Sequence, residues 1–546
     1  MSTKPRSVPR LSSRLTAFAA ALLGLCCSSL VLGDPHWPGS SSAYRLPESE
    51  SLATPTQADL AQSYLRFEQA WSAHPPEPGR VAEVNKRFDR ATRMFFSQRA
   101  GESMRALFEL EWSLGHDQPP PPSVAALASL RARVEPRVWN VGQFVSPWPG
   151  PSIRVQSLYE SPQAADDVEL TLSLQSASKG QVVLTRRLVA SFGPGRRIDA
   201  HIPLGPDFAF LPPDRYDVML QAEGFEALPF DRLTAAPRSM SFERRELEVT
   251  LEHLNPASDP PMYDHVIARD RAALITDEPS LDRASGYMFD PLVLLAMVRD
   301  EVRVLGDYSN PYKNRIGDLW RLLRTPGGGV IPMRLYAPRA INRGWEVPVV
   351  IALHGAGGNE HMFMDAYGAG RLRQLADRKG FLAVTPATIP FGADAANLDL
   401  LLDALELDYP IDRSRIYIIG HSLGAVSAAK FASAKSDTLA AVVCFAGFDS
   451  IPGGASICPV SVIYGGLDEI FPPDRIAPAA KAAEDAGLPV TARAVPDAGH
   501  TLMVSTELPG AIDWLMEHTN ADALRRHLKK LQEAEAAKDE QPGSGK

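Results

Sequence analysis

Downstream of residue 56, apolar residues recur at three- to four-residue intervals. Leu60, Tyr64, Phe67 and Trp71 form one series, Val81, Val84, Phe88 and Phe95 a second, and Met104, Leu107, Phe108 and Leu110 a third. That period is one face of an α-helix, so the three series predict a small helical bundle. Thr56 and Asp59, ahead of the first series, predict a capping box. An aromatic stripe at this spacing is the ordinary signature of core, and nothing in it points to a ligand. Pro119 to Pro122 end the pattern and mark a boundary.

From about 137 to 235 the period changes to two. Val168, Leu170, Leu172 and Leu174 alternate with polar neighbours, and 181–191 and 216–222 also read as strands. Pro212-Pro213-Asp214-Arg215-Tyr216 resembles the lead-in to a late strand of an Ig-like or fibronectin-like sandwich. Trp139 and Trp148 are the candidates for a carbohydrate platform, and their position near the start of the module favours packing at an interface instead. Residues 237–325 return to helical signals, with Leu292, Leu294, Leu295, Met297, Val298 and Val302 in one apolar segment that Gly306 and Asn310-Pro311 interrupt. This segment is expected to pack over the following unit as a cover. Gly327-Gly328-Gly329 reads as a hinge, and a strand over 330–336 as the opening of the last large unit.

That unit carries unbroken apolar runs of strand length. One of them, Ile416-Tyr417-Ile418-Ile419, leads straight into Gly420-His421-Ser422-Leu423-Gly424, and Ala425, Ala428, Ala429, Phe431 and Ala432 follow at helical spacing. Gly-x-Ser-x-Gly alone is weak, expected by chance about 0.2 times in a chain this long. Between a strand and a helix it is the turn that strains its serine and lifts the hydroxyl above the sheet edge. Upstream, the run Val347 to Leu353 ends in His354-Gly355-Ala356-Gly357-Gly358, a glycine loop able to turn N–H groups toward a bound carbonyl oxygen, with the Leu423 N–H as partner. Downstream, Val460 to Tyr464 ends in Gly465-Gly466-Leu467-Asp468. An aspartate there can accept a hydrogen bond from an imidazole, with Glu469 as the adjacent alternative and Asp474 reading as a helix cap. A last strand from Val490 to Val495 leads through Pro496-Asp497-Ala498-Gly499 to His500, a candidate general base.

The order Ser422, Asp468, His500 is that of α/β-hydrolases. Residues 326–520 resemble α/β-hydrolases of the secreted esterase type, the group of feruloyl and acetyl-xylan esterases and polyhydroxyalkanoate depolymerases. The stretch Ile411-Asp412-Arg413-Ser414-Arg415-Ile416-Tyr417 is similar to that group's at the same place. The resemblance implies a mostly parallel sheet flanked by helices, Ser422 as nucleophile, Asp468 as acid, His500 as base, and Ala356 and Leu423 as oxyanion donors. It implies a structural role for Asp412 and Arg415, and no cofactor. Two departures stand out. Gly424-Ala425 stands where the group often has Gly-Gly, and the dozen or so residues from Gly447 to Cys458 leave no room for an inserted lid.

The resulting organisation is a signal peptide (1–33), a helical N-terminal region (34–136), an Ig- or fibronectin-like β-sandwich (137–236), a helical linker or cover (237–325), the α/β-hydrolase catalytic domain (326–520), and a charged helix with a disordered tail (521–546). The expected activity is serine-dependent hydrolysis of carboxylic esters, polysaccharide-linked and polymeric esters included. The alternatives are a peptidase of the prolyl-oligopeptidase type, against which stands the lack of an upstream blade repeat, and a non-catalytic exported binding protein with a relic hydrolase fold.

Composition narrows the picture further. Of 546 residues, 45% are hydrophobic and 22% charged, which suits a globular chain of two to four domains. Lys4, Arg6, Arg10 and Arg14 precede an apolar run from Leu15 to Leu32, and Val31-Leu32-Gly33 reads as a cleavage site, so export to the periplasm or the exterior is expected. A retained anchor is the alternative. Lipidation at Cys26 or Cys27 is disfavoured because no small residue precedes either. Losing those four cations takes the formal charge from −9 to −13, which suits neither nucleic acid nor anionic lipid. No later segment is apolar enough to span a membrane. Cys444 and Cys458, the two cysteines of the mature chain, read as small buried hydrophobes, and no metal-ligand spacing is present.

Overall fold

A computed structural model of the protein describes residues 43–141, 150–205, 211–254, 263–278, 290–449, 451 and 456–539. The leader expected over 1–33, its two cysteines, Trp148 and the last seven residues lie outside the described residues.

The helical series form helices Gln57–Ala73, Val81–Phe96 and Ala100–Gly115. Thr56 and Asp59 make the reciprocal capping box at the first of them. Phe67, Val84, Phe88, Leu107 and Leu110 close their shared core, and Leu502 of the C-terminal unit enters it.

Two β-sheets follow. One joins β2 (Leu130–Glu135), β4 (Ser152–Ser157) and β7 (Asp199–Pro203). The other runs β1-β6-β5-β8-β9-β3, where β1 is Tyr44–Arg45, β3 Val138–Asn140, β5 Ala165–Ser176, β6 Val182–Phe192, β8 Asp214–Ala222 and β9 Leu228–Ala236. Leu170, Leu172, Leu174, Val218 and Leu220 of the larger sheet share one core with Ala132, Val134, Ile153 and Val155 of the smaller. The β unit thus starts at Leu130, inside the span read as helical. The alternation Leu130, Ala132, Val134 is too short to stand out beside helix Pro122–Ala128, and Arg131 and Arg133 between them ion-pair with Asp59 at 3.0 Å each. Trp139 packs half-buried against this core and offers no open platform.

The third sheet has eight strands: β10 (Gly317–Arg324), β11 (Val330–Ala337), β12 (Val347–Leu353), β13 (Leu382–Pro386), β14 (Ile411–His421), β15 (Ala441–Phe445), β16 (Val460–Gly465) and β17 (Val490–Val495). Their order is β10-β11-β13-β12-β14-β15-β16-β17, antiparallel at β10, β11 and β13 and parallel from β13 to β17. Alternate residues of the central strands enter different cores. Val349, Ile351, Ile416, Ile418 and Val442 face one layer of helices, and Val350, Ala352, Tyr417, Ile419 and Val443 the other. Burial on both faces is why these strands read as unbroken apolar runs. Cys444 and Cys458 are free and buried. Arg415 pairs with Asp412 at 2.5 Å near the start of β14, a structural contact away from the site.

The strand β10 extends the hydrolase unit upstream of 326. Its polar interruptions hid it, and Arg321 is the extreme case, a fully buried guanidinium 2.7 Å from the equally buried Asp408. Helices Met240–Leu254, Tyr263–Ala272 and Pro291–Gly306 share a core with Val138 and Ala236 of the β unit and lie along β10, where Arg271 donates to the Trp320 carbonyl. They brace that edge of the sheet and supply none of the residues around Ser422. The expected cover is therefore built from a different part of the chain, the three N-terminal helices.

Those helices dock through buried polar groups. Glu68 is 0% exposed and accepts hydrogen bonds from Tyr64 Oη at 2.6 Å, Ser505 Oγ at 2.9 Å and the Gly368 N–H at 3.2 Å. Burial outweighs these donors and pushes its carboxyl up to about 7.

Two outcomes follow from this packing. Arg321→Ala leaves Asp408 buried and unpaired, and is expected to lower the unfolding free energy by about 3–5 kcal/mol in urea titrations. Glu68 binds a proton more tightly folded than unfolded, so its contribution to stability is complete below about pH 4.5 and lost as pH rises through about 7. Glu68→Gln should accordingly flatten the fall in urea midpoint between pH 5 and pH 8.

Candidate active site

Ser422 sits between β14 and helix Leu423–Ala434 with φ 55° and ψ −116°, a backbone conformation that is strained for a residue bearing a side chain. The surroundings force that conformation. A Cβ on Gly420 would lie 2.2 Å from the Gly424 carbonyl oxygen, and one on Gly424 would lie 2.1 Å from that of Leu353. Only bare backbone lets helix, turn and strand approach so closely. The Ser422 N–H donates to the Phe445 carbonyl at 2.8 Å, and the side chain stays partly accessible at the head of a helix whose first N–H groups lack intrahelical partners.

Asp468 follows β16 and His500 follows β17. His500 Nδ1 lies 2.8 Å from Asp468 Oδ2, with both residues almost fully buried. A carboxylate only accepts, so Nδ1 is the nitrogen that donates to Asp468, and in the neutral imidazole Nε2 is the one that bears the free lone pair. Asp468 Oδ1 is held by the Ile470 and Phe471 N–H groups, each at 2.8 Å. Glu469, the alternative acid, turns outward to Arg93 at 2.6 Å, and Asp474 lies in the first turn of helix Pro473–Asp485. Ser422 and His500 line one cavity together with Gly355, Ala356, Tyr367 and His421. Ala356 is exposed in that wall, and Leu423 is 37% exposed beside it.

Side chains to which the sequence reading gave no role hold this arrangement. The imidazole of His421 is a strut. Its Nε2 donates to the His500 carbonyl at 3.1 Å, and its Nδ1 accepts from Tyr367 Oη at 2.7 Å. Burial holds the His421 imidazole well below its usual value, hence neutral. His354 fixes the glycine loop. Its Nδ1 donates to the Gly355 carbonyl at 2.8 Å, its Nε2 accepts the Thr388 N–H at 3.0 Å, and burial lowers it to about 4.

The helical region reaches the catalytic loop directly. The His500 N–H donates to both oxygens of Asp89, at 3.0 and 2.9 Å, and the Gly499 N–H donates to Asn85 Oδ1 at 2.8 Å. Burial pushes the Asp89 carboxyl up to about 7, and the nearby Asp468 charge adds to the rise. Sequence reasoning missed Asp89, Asn85 and Glu68. The one signal was the placing of three polar side chains on or beside apolar helical faces. Among the described residues, no group of His, Cys, Asp and Glu is arranged to hold a metal ion.

Residues 393–534 match the dienelactone hydrolase family. No curated protein matches the chain. Solved structures that align with it include a thermostable esterase at 13% identity, over 67% of this chain and 95% of that one, with a TM-score of 0.33. A ferulic acid esterase aligns at 18% identity over 36% and 97%, TM-score 0.31. An S-formylglutathione hydrolase from Staphylococcus aureus aligns at 14% identity over 37% and 97%, TM-score 0.31. By its strand order and its strained serine turn, the C-terminal part of this chain has the α/β-hydrolase fold, and residues 393–534 within it match the dienelactone hydrolase family.

Proposed function

We propose that this protein is a serine hydrolase of carboxylic esters working through Ser422, His500 and Asp468. The observation that carries the reading is that His500, buried and bonded to Asp468, lines the same cavity as the strained Ser422. Ser422 Oγ attacks the acyl carbon while His500 Nε2 takes its proton. Asp468 stabilises the imidazolium, and the Ala356 and Leu423 N–H groups hold the oxyanion. His500 then returns the proton to the departing alcohol, leaving an acyl-enzyme. A water deprotonated by His500 releases the acid and frees Ser422.

The substrate enters under a roof. A polysaccharide-linked or polymeric ester would present only its acyl end to a cavity walled on one side by the N-terminal helices. The β unit reads as an Ig- or fibronectin-like spacer. Supporting that reading, Tyr216 Oη donates to the Pro212 carbonyl at 2.8 Å, in the manner of the tyrosine corner of such sandwiches. Export is inferred from the basic and apolar residues of the N-terminus. Among the described residues, no helix is long and apolar enough to cross a membrane.

Ser422→Ala should abolish hydrolysis of p-nitrophenyl acetate and butyrate, a loss of about 10⁴-fold or more, with circular dichroism unchanged. A fluorophosphonate probe should label the native protein and leave the variant unlabelled. Retained turnover in the variant would end the proposal. Asp89→Ala removes the acceptor of the His500 N–H, and kcat for p-nitrophenyl acetate should fall about tenfold or more. Asp89→Asn, which keeps an oxygen there, should recover most of it.

A further inference from the structure

Three helices distant in sequence from the hydrolase unit form the roof of the site. Leu60, Tyr64, Phe88, Phe95 and Leu107 face a cavity of about 150 Å³ whose floor is Ser422, His500 and the loop from Gly355 to Asn359. The roof rests directly on that loop. Gln57 Nε2 donates to the Gly357 carbonyl at 3.1 Å, and a Cβ on Gly357 would come within 3.0 Å of the Phe95 ring.

Among the described residues, no Asp, Glu, Lys or Arg side chain lines the cavity. Several of its polar side chains are turned back on the protein. Thr92 Oγ1 donates to the Phe88 carbonyl at 3.1 Å, Ser103 Oγ to that of Ala91 at 2.8 Å, and Tyr64 Oη to Glu68. Apart from the reacting groups and the oxyanion donors, the wall therefore presents mainly carbon. A carboxylate or ammonium drawn in would lose its water with no counter-charge to replace it. An apolar cavity of roughly this size accommodates a benzene-sized guest. Tyr64 and Phe88 meet edge-on with centroids 5.6 Å apart, an arrangement that a further aromatic ring can extend.

We propose that the N-terminal helices form the specificity pocket of this enzyme, which selects neutral esters bearing one apolar substituent about the size of a benzene ring. The inference rests on the ester-hydrolase reading of Ser422. Leu60 and Phe95 are its specificity-determining residues, setting the size that fits.

Esters of similar intrinsic reactivity test it with the full chain: methyl acetate, methyl phenylacetate, benzyl acetate and monomethyl succinate. Methyl phenylacetate or benzyl acetate should exceed methyl acetate in kcat/KM by about tenfold or more. Which of the two does so assigns the pocket to the acyl or the alcohol side. Monomethyl succinate should fall below methyl acetate. Phe95→Ala and Leu60→Ala should each raise the preference for the naphthyl analogue over the phenyl ester about fivefold or more. The proposal is overturned if neither benzyl-bearing ester outruns methyl acetate, if monomethyl succinate matches them, or if neither variant shifts the naphthyl-to-phenyl ratio. Fluorophosphonate labelling separates the two levels. A protein that labels at Ser422 yet shows no such selectivity refutes the pocket alone, whereas one that neither labels nor cleaves any ester refutes the hydrolase reading beneath it.

Discussion

The arrangement of the hydrolase unit depends on the bare-backbone approach of Gly424 to the end of β12, where a Cβ would lie 2.1 Å from the Leu353 carbonyl oxygen. That approach holds Ser422 in its strained conformation and aims its hydroxyl out of the sheet. It also brings the head of helix Leu423–Ala434 against the His354–Gly358 loop, so that Ser422 and Ala356 line one cavity. The alanines of that helix serve the same end. Ala425, Ala428 and Ala429 are small enough for the helix to lie flat on the strands. A larger residue at any of these places would lift the helix and relax the turn.

Around that point the site is organised by backbone more than by charge. Asp468 is held by two N–H groups, His500 by Asp468 through its ring and by Asp89 through its N–H, and the glycine loop by His354. Both supporting imidazoles are kept neutral by burial, so each has one donor and one acceptor to place. His421 in particular joins the Ser422 turn to the His500 loop, because its ring touches the backbone of His500 on one side and Tyr367 on the other.

How much of this was legible follows from which interactions are local. Strands buried on both faces announce themselves as apolar runs, and the serine turn needs glycines at fixed spacing, so the strands of the hydrolase unit and the strained turn at Ser422 could be read directly. The strand β10 could not, because its buried Arg321 is satisfied by Asp408, 87 positions away. Likewise Arg131 and Arg133 masked β2, their partner Asp59 lying in the first helix. The roof was misassigned for the same reason. Leu60 and Phe88 look like ordinary helical core, and the second surface they face is made by residues hundreds of positions later. The helices at 240–306 were the nearer candidates in sequence, yet their apolar faces are used on β10 and the β unit.

The bond from His500 to Asp89 spans 411 positions and carries a consequence for how the chain comes into being. During synthesis the roof emerges long before the floor it rests on. Until residue 500 has left the ribosome, Leu60, Phe88 and Phe95 have no surface to cover, and Asp89 has no N–H to receive. The ability to turn over an ester therefore cannot arise before residue 500 has emerged, and a chain that stops short of β17 is left with an exposed oily face and no chemistry.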